Sequence, residues 1–178
     1  MSEAAHHLVS EAEFLTLPES TERLELVDGE VIMSPSPSYW HQEILTRIVA
    51  RLREWAADTE SSVTVAQGPL DVRFGEGRIL QPDAMVFKTR LEREQQGPVD
   101  RVPELCIEVL SSNRAYDRIT KRFIYAEAGV QEYWLVDPAT HIERRSGDGL
   151  ARVERIDERL TTPLLPGFVL DAKALLES

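Results

Sequence analysis

The sequence predicts an α/β fold, a mixed β-sheet flanked by helices with β-hairpins added at its N-terminal and C-terminal ends. Three stretches carry that prediction. Residues Glu104 to Pro138 read as strand, helix, strand; Asp28-Gly29 sits between two apolar runs as a tight hairpin turn; and Ser38 to Ala57 read as a long amphipathic helix. Strands and helices interleaved in this order pack as layers about a largely buried sheet.

The central segment opens on Leu105-Cys106-Ile107-Glu108-Val109-Leu110, an aliphatic run suited to a buried strand yet carrying a carboxylate in its middle. Strand alternation sends Leu105, Ile107 and Val109 to one face and Cys106, Glu108 and Leu110 to the other. An unpaired buried charge is costly, so Glu108 requires a partner, and a cation is one solution. From Arg114 to Ala128 the spacing is helical, with Tyr116, Ile119, Phe123 and Ala126 as the expected apolar stripe. Gly129 supplies the C-cap, and Glu132-Tyr133-Trp134-Leu135-Val136 reads as a second strand closed by Asp137-Pro138. Such a crossover makes the two strands parallel, and the loop after the first is a common place for a site.

The other elements follow in chain order. Glu11 to Leu17 form at most a short helical turn, ended by Pro18. Arg23 to Val27 and Glu30 to Met33 flank Asp28-Gly29, a strong hairpin signal. Two prolines in Ser34-Pro35-Ser36-Pro37-Ser38 stop the second strand, and Ser38 is placed to cap the helix whose stripe is Trp40, Ile44, Leu45, Ile48, Val49, Leu52 and Ala56. Strands are expected over Ser62 to Ala66, Leu70 to Phe74 and Arg78 to Phe87, the last with an irregularity at Pro82-Asp83 of the kind that re-aims a side chain. Lys88 to Arg101 read as a surface loop. Beyond Pro138, Thr140 to Arg145 and Leu150 to Ile156 bracket a turn at Gly147-Asp148-Gly149, Pro163 to Leu170 read as an apolar strand with a turn inside it, and Asp171 caps a short terminal helix.

Composition narrows the class. A length of 178 residues, 42% of them hydrophobic, suits a single domain over 1–178, with residues 1–10, His6-His7 included, as a mobile tail. The lone cysteine, Cys106, excludes an internal disulfide and suits a reducing compartment. No apolar run reaches about 18 residues and no basic-then-apolar leader opens the chain, so a soluble, cytoplasmic protein is expected. A net charge of −11 counts against tight sequence-independent binding to duplex DNA. Contact with a polyanion must therefore come from a local patch, and Arg114, Arg118 and Arg122, beside Lys121 on one helix, are the candidate phosphate contacts, unless they are simply a solvated face.

Two carboxylates stand out, Asp83 at an irregular strand and Glu108 inside an apolar one. If their strands are neighbours, a divalent ion between them resolves both charges, since Mg²⁺ (or Mn²⁺) takes oxygen ligands from one or two carboxylates, a main-chain carbonyl such as that of Val109, and water. The alternative is a metal-free arrangement in which Asp83 closes a turn and Glu108 pairs with Arg73, Arg78 or Arg114.

Pro82-Asp83 followed by Glu108-Val109-Leu110 resembles the PD-(D/E)XK nuclease superfamily. The wider set is similar to the Uma family of restriction-endonuclease-like proteins: Leu24-Glu25-Leu26-Val27-Asp28-Gly29-Glu30, Ser34-Pro35-Ser36-Pro37, His41-Gln42, Gln81-Pro82-Asp83, Ile107 to Ser111, Lys121 to Tyr125, Ala128 to Pro138 and Leu165-Pro166-Gly167. The resemblance implies a restriction-endonuclease-like core and metal-dependent hydrolysis of DNA, with Asp83 and Glu108 as metal ligands and Lys121 as the third catalytic group. The superfamily lysine two residues after the glutamate is replaced here by Leu110, and the resemblance to the Uma family implies that Lys121, on the following helix, takes its part. Helical spacing puts Lys121 opposite the apolar stripe but on one face with Tyr125, so that face can line a groove. Glu30 and His41 are candidate accessory groups, from a hairpin and a helix that would flank the same sheet edge. Exposed edge strands and an apolar tail suggest a homodimer. A non-catalytic interaction module and a hydrolase of another phosphate ester are the competing readings.

Overall fold

The structure, a computed structural model, describes residues 8–18, 20–59, 62–111 and 113–177. Residues 1–7, with His6-His7, lie outside them, but 8–10 belong to the fold rather than to a mobile tail. Val9 donates to the Gly29 carbonyl at 2.8 Å, and Ser10 caps helix α1 (Glu11–Phe14) by a reciprocal exchange with Glu13. Strands β1 (Arg23–Val27) and β2 (Glu30–Ser34) form the expected hairpin. Its turn needs positive φ at both central residues, which Asp28 (51°) and Gly29 (91°) adopt, and a Cβ on Gly29 would meet Leu8.

Ser38 accepts from the His41 amide and starts α2 (Tyr39–Asp58), which buries Ile44, Leu45, Ile48, Val49, Leu52 and Trp55 as its periodicity requires. After β3 (Thr64–Gln67) and β4 (Val72–Gly75), the expected continuous strand from Arg78 to Phe87 is two strands, β5 (Arg78–Leu80) and β6 (Ala84–Phe87), in different sheets. Pro82 has no amide to give a ladder, and the Gln81 amide donates to the Glu25 carboxylate at 2.8 Å instead. The chain therefore crosses between sheets at Gln81-Pro82-Asp83.

Strand β7 (Leu105–Val109) runs antiparallel to β6 and parallel to β8 (Glu132–Asp137), the crossover being a π-helical segment (Tyr116–Lys121) that continues as α3 (Arg122–Ala128). Gly129, at φ 91°, ends it. Strands β9 (His141–Ser146) and β10 (Arg152–Ile156) make the second hairpin, and β11 (Arg159–Leu160) pairs with β12 (Leu170–Asp171) ahead of α4 (Ala172–Leu176), which Asp171 caps. The expected apolar strand from Pro163 to Leu170 is absent apart from Leu170. Pro163 and Pro166 offer no donors, and the carbonyls of Pro166 and Val169 go to Trp55 Nε1 (2.9 Å) and Arg51 Nε (3.0 Å) of α2.

Six strands in the order β10-β9-β8-β7-β6-β3 form the main sheet, and β2-β1-β5-β4 form a second. Alternation along β7 divides the core as the sequence requires. Leu105, Ile107 and Val109 pack with Trp134 and Val136 against α2, while Cys106 and Leu110 face Leu80, Ile124, Tyr125 and Phe74 on the side of α3 and the second sheet. Phe14 covers Leu26 and Ile79 on the far face of that second sheet. Among the described residues, no helix is long and apolar enough to cross a membrane.

One expectation is reversed. Ile119 and Phe123, taken from spacing as the buried stripe, are 66% and 54% exposed, whereas Asp117, Lys121, Ile124 and Tyr125 turn inward. Charges on the sheet side of this segment, described below, decide its rotation against its apolar periodicity. Phe123→Ser should accordingly change unfolding free energy by less than about 0.5 kcal/mol, and Ile124→Ala should cost about 2–4 kcal/mol, both read by urea denaturation. Equal costs would restore the periodic stripe.

Candidate metal and phosphodiester site

The β6–β7 register, Ala84 opposite Ile107, brings Asp83 and Glu108 alongside each other, each 3% exposed. Both line one cavity of about 40 Å³ together with Arg23, His41, Asp117 and Lys121. That is room for an ion and one or two waters, a water needing about 10–15 Å³ on the same measure. The cavity opens where β7 ends and the Ser111 loop begins, the end of a parallel strand at which α/β folds place ligands.

Each carboxylate is held. Asp83 Oδ1 accepts from Arg23 Nη1 (2.6 Å), and Oδ2 accepts from the Val109 amide (2.9 Å) and lies 3.1 Å from His41 Nε2. Glu108 Oε1 accepts from Lys121 Nζ (3.0 Å) and Tyr125 Oη (2.8 Å), and no described residue donates to Oε2. Lys121, itself 3% exposed, also meets Glu25 Oε1 at 3.2 Å and Asp117 Oδ1 at 3.8 Å. Glu25 is fully buried, with Tyr116 donating to its Oε2 at 3.0 Å. Glu108 thus pairs with Lys121, not with Arg73, Arg78 or Arg114.

Four carboxylates, Glu25, Asp83, Glu108 and Asp117, surround two fixed cations, Arg23 and Lys121, an excess of two negative formal charges. The titration of the cluster reflects this. Burial, reinforced by the neighbouring carboxylates against Lys121, pushes Glu108 well above the usual range, and burial likewise raises Asp117. Burial opposes the charge on Lys121, yet Glu108, Glu25 and Asp117 hold its pKa well above the ordinary value. Burial also works against Asp83, but His41 and Arg23 outweigh it and hold that carboxyl below its usual range.

The donor set suits a hard divalent ion: adjacent carboxylates, one with an oxygen to spare, and a charge deficit of two. Among the described residues no three His, Cys, Asp or Glu side chains already stand around one point as a closed cage. Mg²⁺ does not require one, because it keeps several waters and uses one or two carboxylates.

Other expected groups divide. His41 and Tyr125 are in the cluster, touching Asp83 and Glu108. Glu30 is not, for it is exposed at the hairpin end opposite Val27, and the hairpin carboxylate that enters the site is Glu25. The expected phosphate contacts are tied to the sheet side instead of standing free: Arg114 holds Asp137 at 2.5 Å, Arg118 pairs with Glu143, and Arg122 Nη1 donates to the Gly149 carbonyl at 3.4 Å. Glu25 and Arg23 were missed because alternate charges on a hairpin strand read as its solvent face. The usable signal was that an inward Lys121 needs more than one counter-ion.

The opposite shifts give opposite pH dependences. Asp83, depressed in the folded state, contributes stability above the ordinary carboxyl range near pH 4 that is lost only as pH falls through its folded value. Glu108, raised, contributes stability at low pH that is lost as pH rises through its folded value. Asp83→Asn should therefore cost about 3 kcal/mol at pH 7 and keep a deficit at pH 4, while Glu108→Gln should gain about 1 kcal/mol at pH 7 and nothing at pH 4. Denaturant titrations at the two pH values check this, and a Glu108→Gln protein less stable than the parent at pH 7 would contradict it.

The chain is similar to known proteins over nearly its whole length. No curated protein matches the chain. Among solved structures, a protein described as a putative nuclease belonging to DUF820, from Anabaena variabilis, is similar at a TM-score of 0.77 and 25% identity, over 94% of this chain and 97% of that one. The family model Uma2, described as "Putative restriction endonuclease", matches residues 11–173, from the first helix to the start of the last. A match of that extent, on a fold shared with a nuclease-like neighbour, places the chain in the Uma2 family.

Proposed function

We propose that the protein is a divalent-metal-dependent endonuclease that hydrolyses DNA phosphodiester bonds, with Asp83 and Glu108 as the metal ligands and Lys121 as the third catalytic group. The observation that carries this reading is the convergence of the three side chains, from the sheet crossing, β7 and the crossover segment, on one cavity. A bound Mg²⁺ or Mn²⁺ would polarise the scissile phosphate and lower the pKa of a coordinated water. The chain's own residues do the rest. The Val109 amide and His41 fix Asp83, and Tyr125 and Lys121 fix Glu108, so both carboxylates are oriented before substrate arrives. Lys121 is kept protonated by its three carboxylates and supplies positive charge to the phosphate as negative charge develops on it. A second copy of the chain would present a second site for the opposite strand, which fits cleavage of a duplex.

One observation favours a non-catalytic module: the Arg23 guanidinium already occupies Asp83. Incubation of the purified protein with single- and double-stranded DNA separates the readings. Cleavage that needs Mg²⁺ or Mn²⁺ and falls at least about 100-fold in Asp83→Asn, Glu108→Gln and Lys121→Met is expected. A parent protein that cuts neither form, or variants that cut at the parent rate, would remove the nuclease assignment. Light scattering should give the mass of a dimer, and a monomer at all concentrations would remove the two-site arrangement.

A further inference from the structure

Of the two cations in the cluster, only one can leave. Lys121 is 4% exposed at its side chain and shared by three carboxylates. Arg23 is 23% exposed, sits at the first position of β1 opposite Ser34, and lines the same cavity as Asp83 and Glu108. Its Nη1 takes Asp83 Oδ1 at 2.6 Å and its Nη2 takes the main-chain carbonyl of Gln81. A carboxylate oxygen and a backbone carbonyl are the oxygen types a hard divalent ion selects. The remaining nitrogen, Nε, is buried without a partner among the described residues, so the seat does not satisfy the guanidinium fully. Arginine stays charged at any working pH, so it can yield this position only to another cation.

We propose that Arg23 is an exchangeable counter-ion: it holds Asp83 Oδ1 in the metal-free protein and surrenders that oxygen when a divalent cation enters, so that metal uptake is an exchange of one cation for another. The exchange rests on the metal-site reading above. It explains how a fully paired Asp83 can still serve as a ligand.

Calorimetric titration of Mn²⁺ into the full chain, with no DNA present, tests it. Arg23→Met should bind Mn²⁺ at least tenfold more tightly than the parent, Asp83→Asn should not bind, and Arg155→Met, which removes an exposed charge outside the cavity, should bind within twofold of the parent. If circular dichroism shows Arg23→Met unfolded, Arg23→Lys decides, since one ammonium cannot fork to Asp83 and Gln81 together; at least threefold tighter binding is expected. Parent-like or weaker binding by the deciding variant, with the parent binding normally, overturns the exchange and leaves the metal site standing. No binding by any of the proteins overturns both.

Discussion

Lys121 places one ammonium group between Glu108, Glu25 and Asp117, at 3.0, 3.2 and 3.8 Å, almost wholly out of water. Removing so many charges from solvent is unfavourable unless each is matched. The surrounding architecture is arranged to match them. The second sheet contributes Glu25 from β1, the main sheet contributes Glu108 from β7, and the crossover turns Asp117 and Lys121 inward together. Tyr116 and Tyr125 spend their hydroxyls on the same carboxylates, and the Tyr116 ring lies 5.4 Å from the ammonium. Two sheets and a helix are thereby pinned to each other through polar contacts at one end of the core.

That constraint separates what was legible in the sequence from what was not. Elements set by local chemistry were readable: Asp28-Gly29 for the turn, Ser38 for the start of α2, Gly129 for the end of α3, and the alternation of β7, whose two faces fall into two separate core clusters. Asp83, Glu108 and Lys121 were nameable because their motif has a family likeness, and Glu108 also because a carboxylate in an aliphatic strand must be compensated. The rotation of the crossover helix was not readable, because Ile119 and Phe123 have the right spacing for a core that lies on the other side. Long-range charge pairing overrode periodicity there, and the π-helical segment, a departure from regular geometry often found at functional positions, lies where it did so.

The same competition explains Glu25, Arg23 and Glu30. In a two-stranded hairpin with one wet face, Arg23 and Glu25 would point to water, and the sequence of β1 is consistent with that. Pairing of β1 with β5 makes it an inner strand of a four-stranded sheet and buries that face against the site. Glu30, at the turn end of β2, stays outside. The break at Pro82 has a related origin. A strand running straight from Arg78 to Phe87 would have kept Asp83 in a ladder, whereas the crossing between sheets frees its carboxylate for Arg23, His41 and the Val109 amide.

Stability and function are set against each other in this cluster. Burial, with the excess of negative charge behind it, raises Glu108 and Asp117 and is a standing cost to the folded chain, which exchange of Arg23 for a divalent ion would relieve by one net positive charge. Diffraction from crystals soaked in Mn²⁺, with anomalous maps at the manganese edge, addresses that claim directly. The account predicts one peak about 2.1 Å from an oxygen of both Asp83 and Glu108, with Arg23 turned away from Asp83. A map without a peak between these carboxylates, with Arg23 still seated on Asp83, would contradict it.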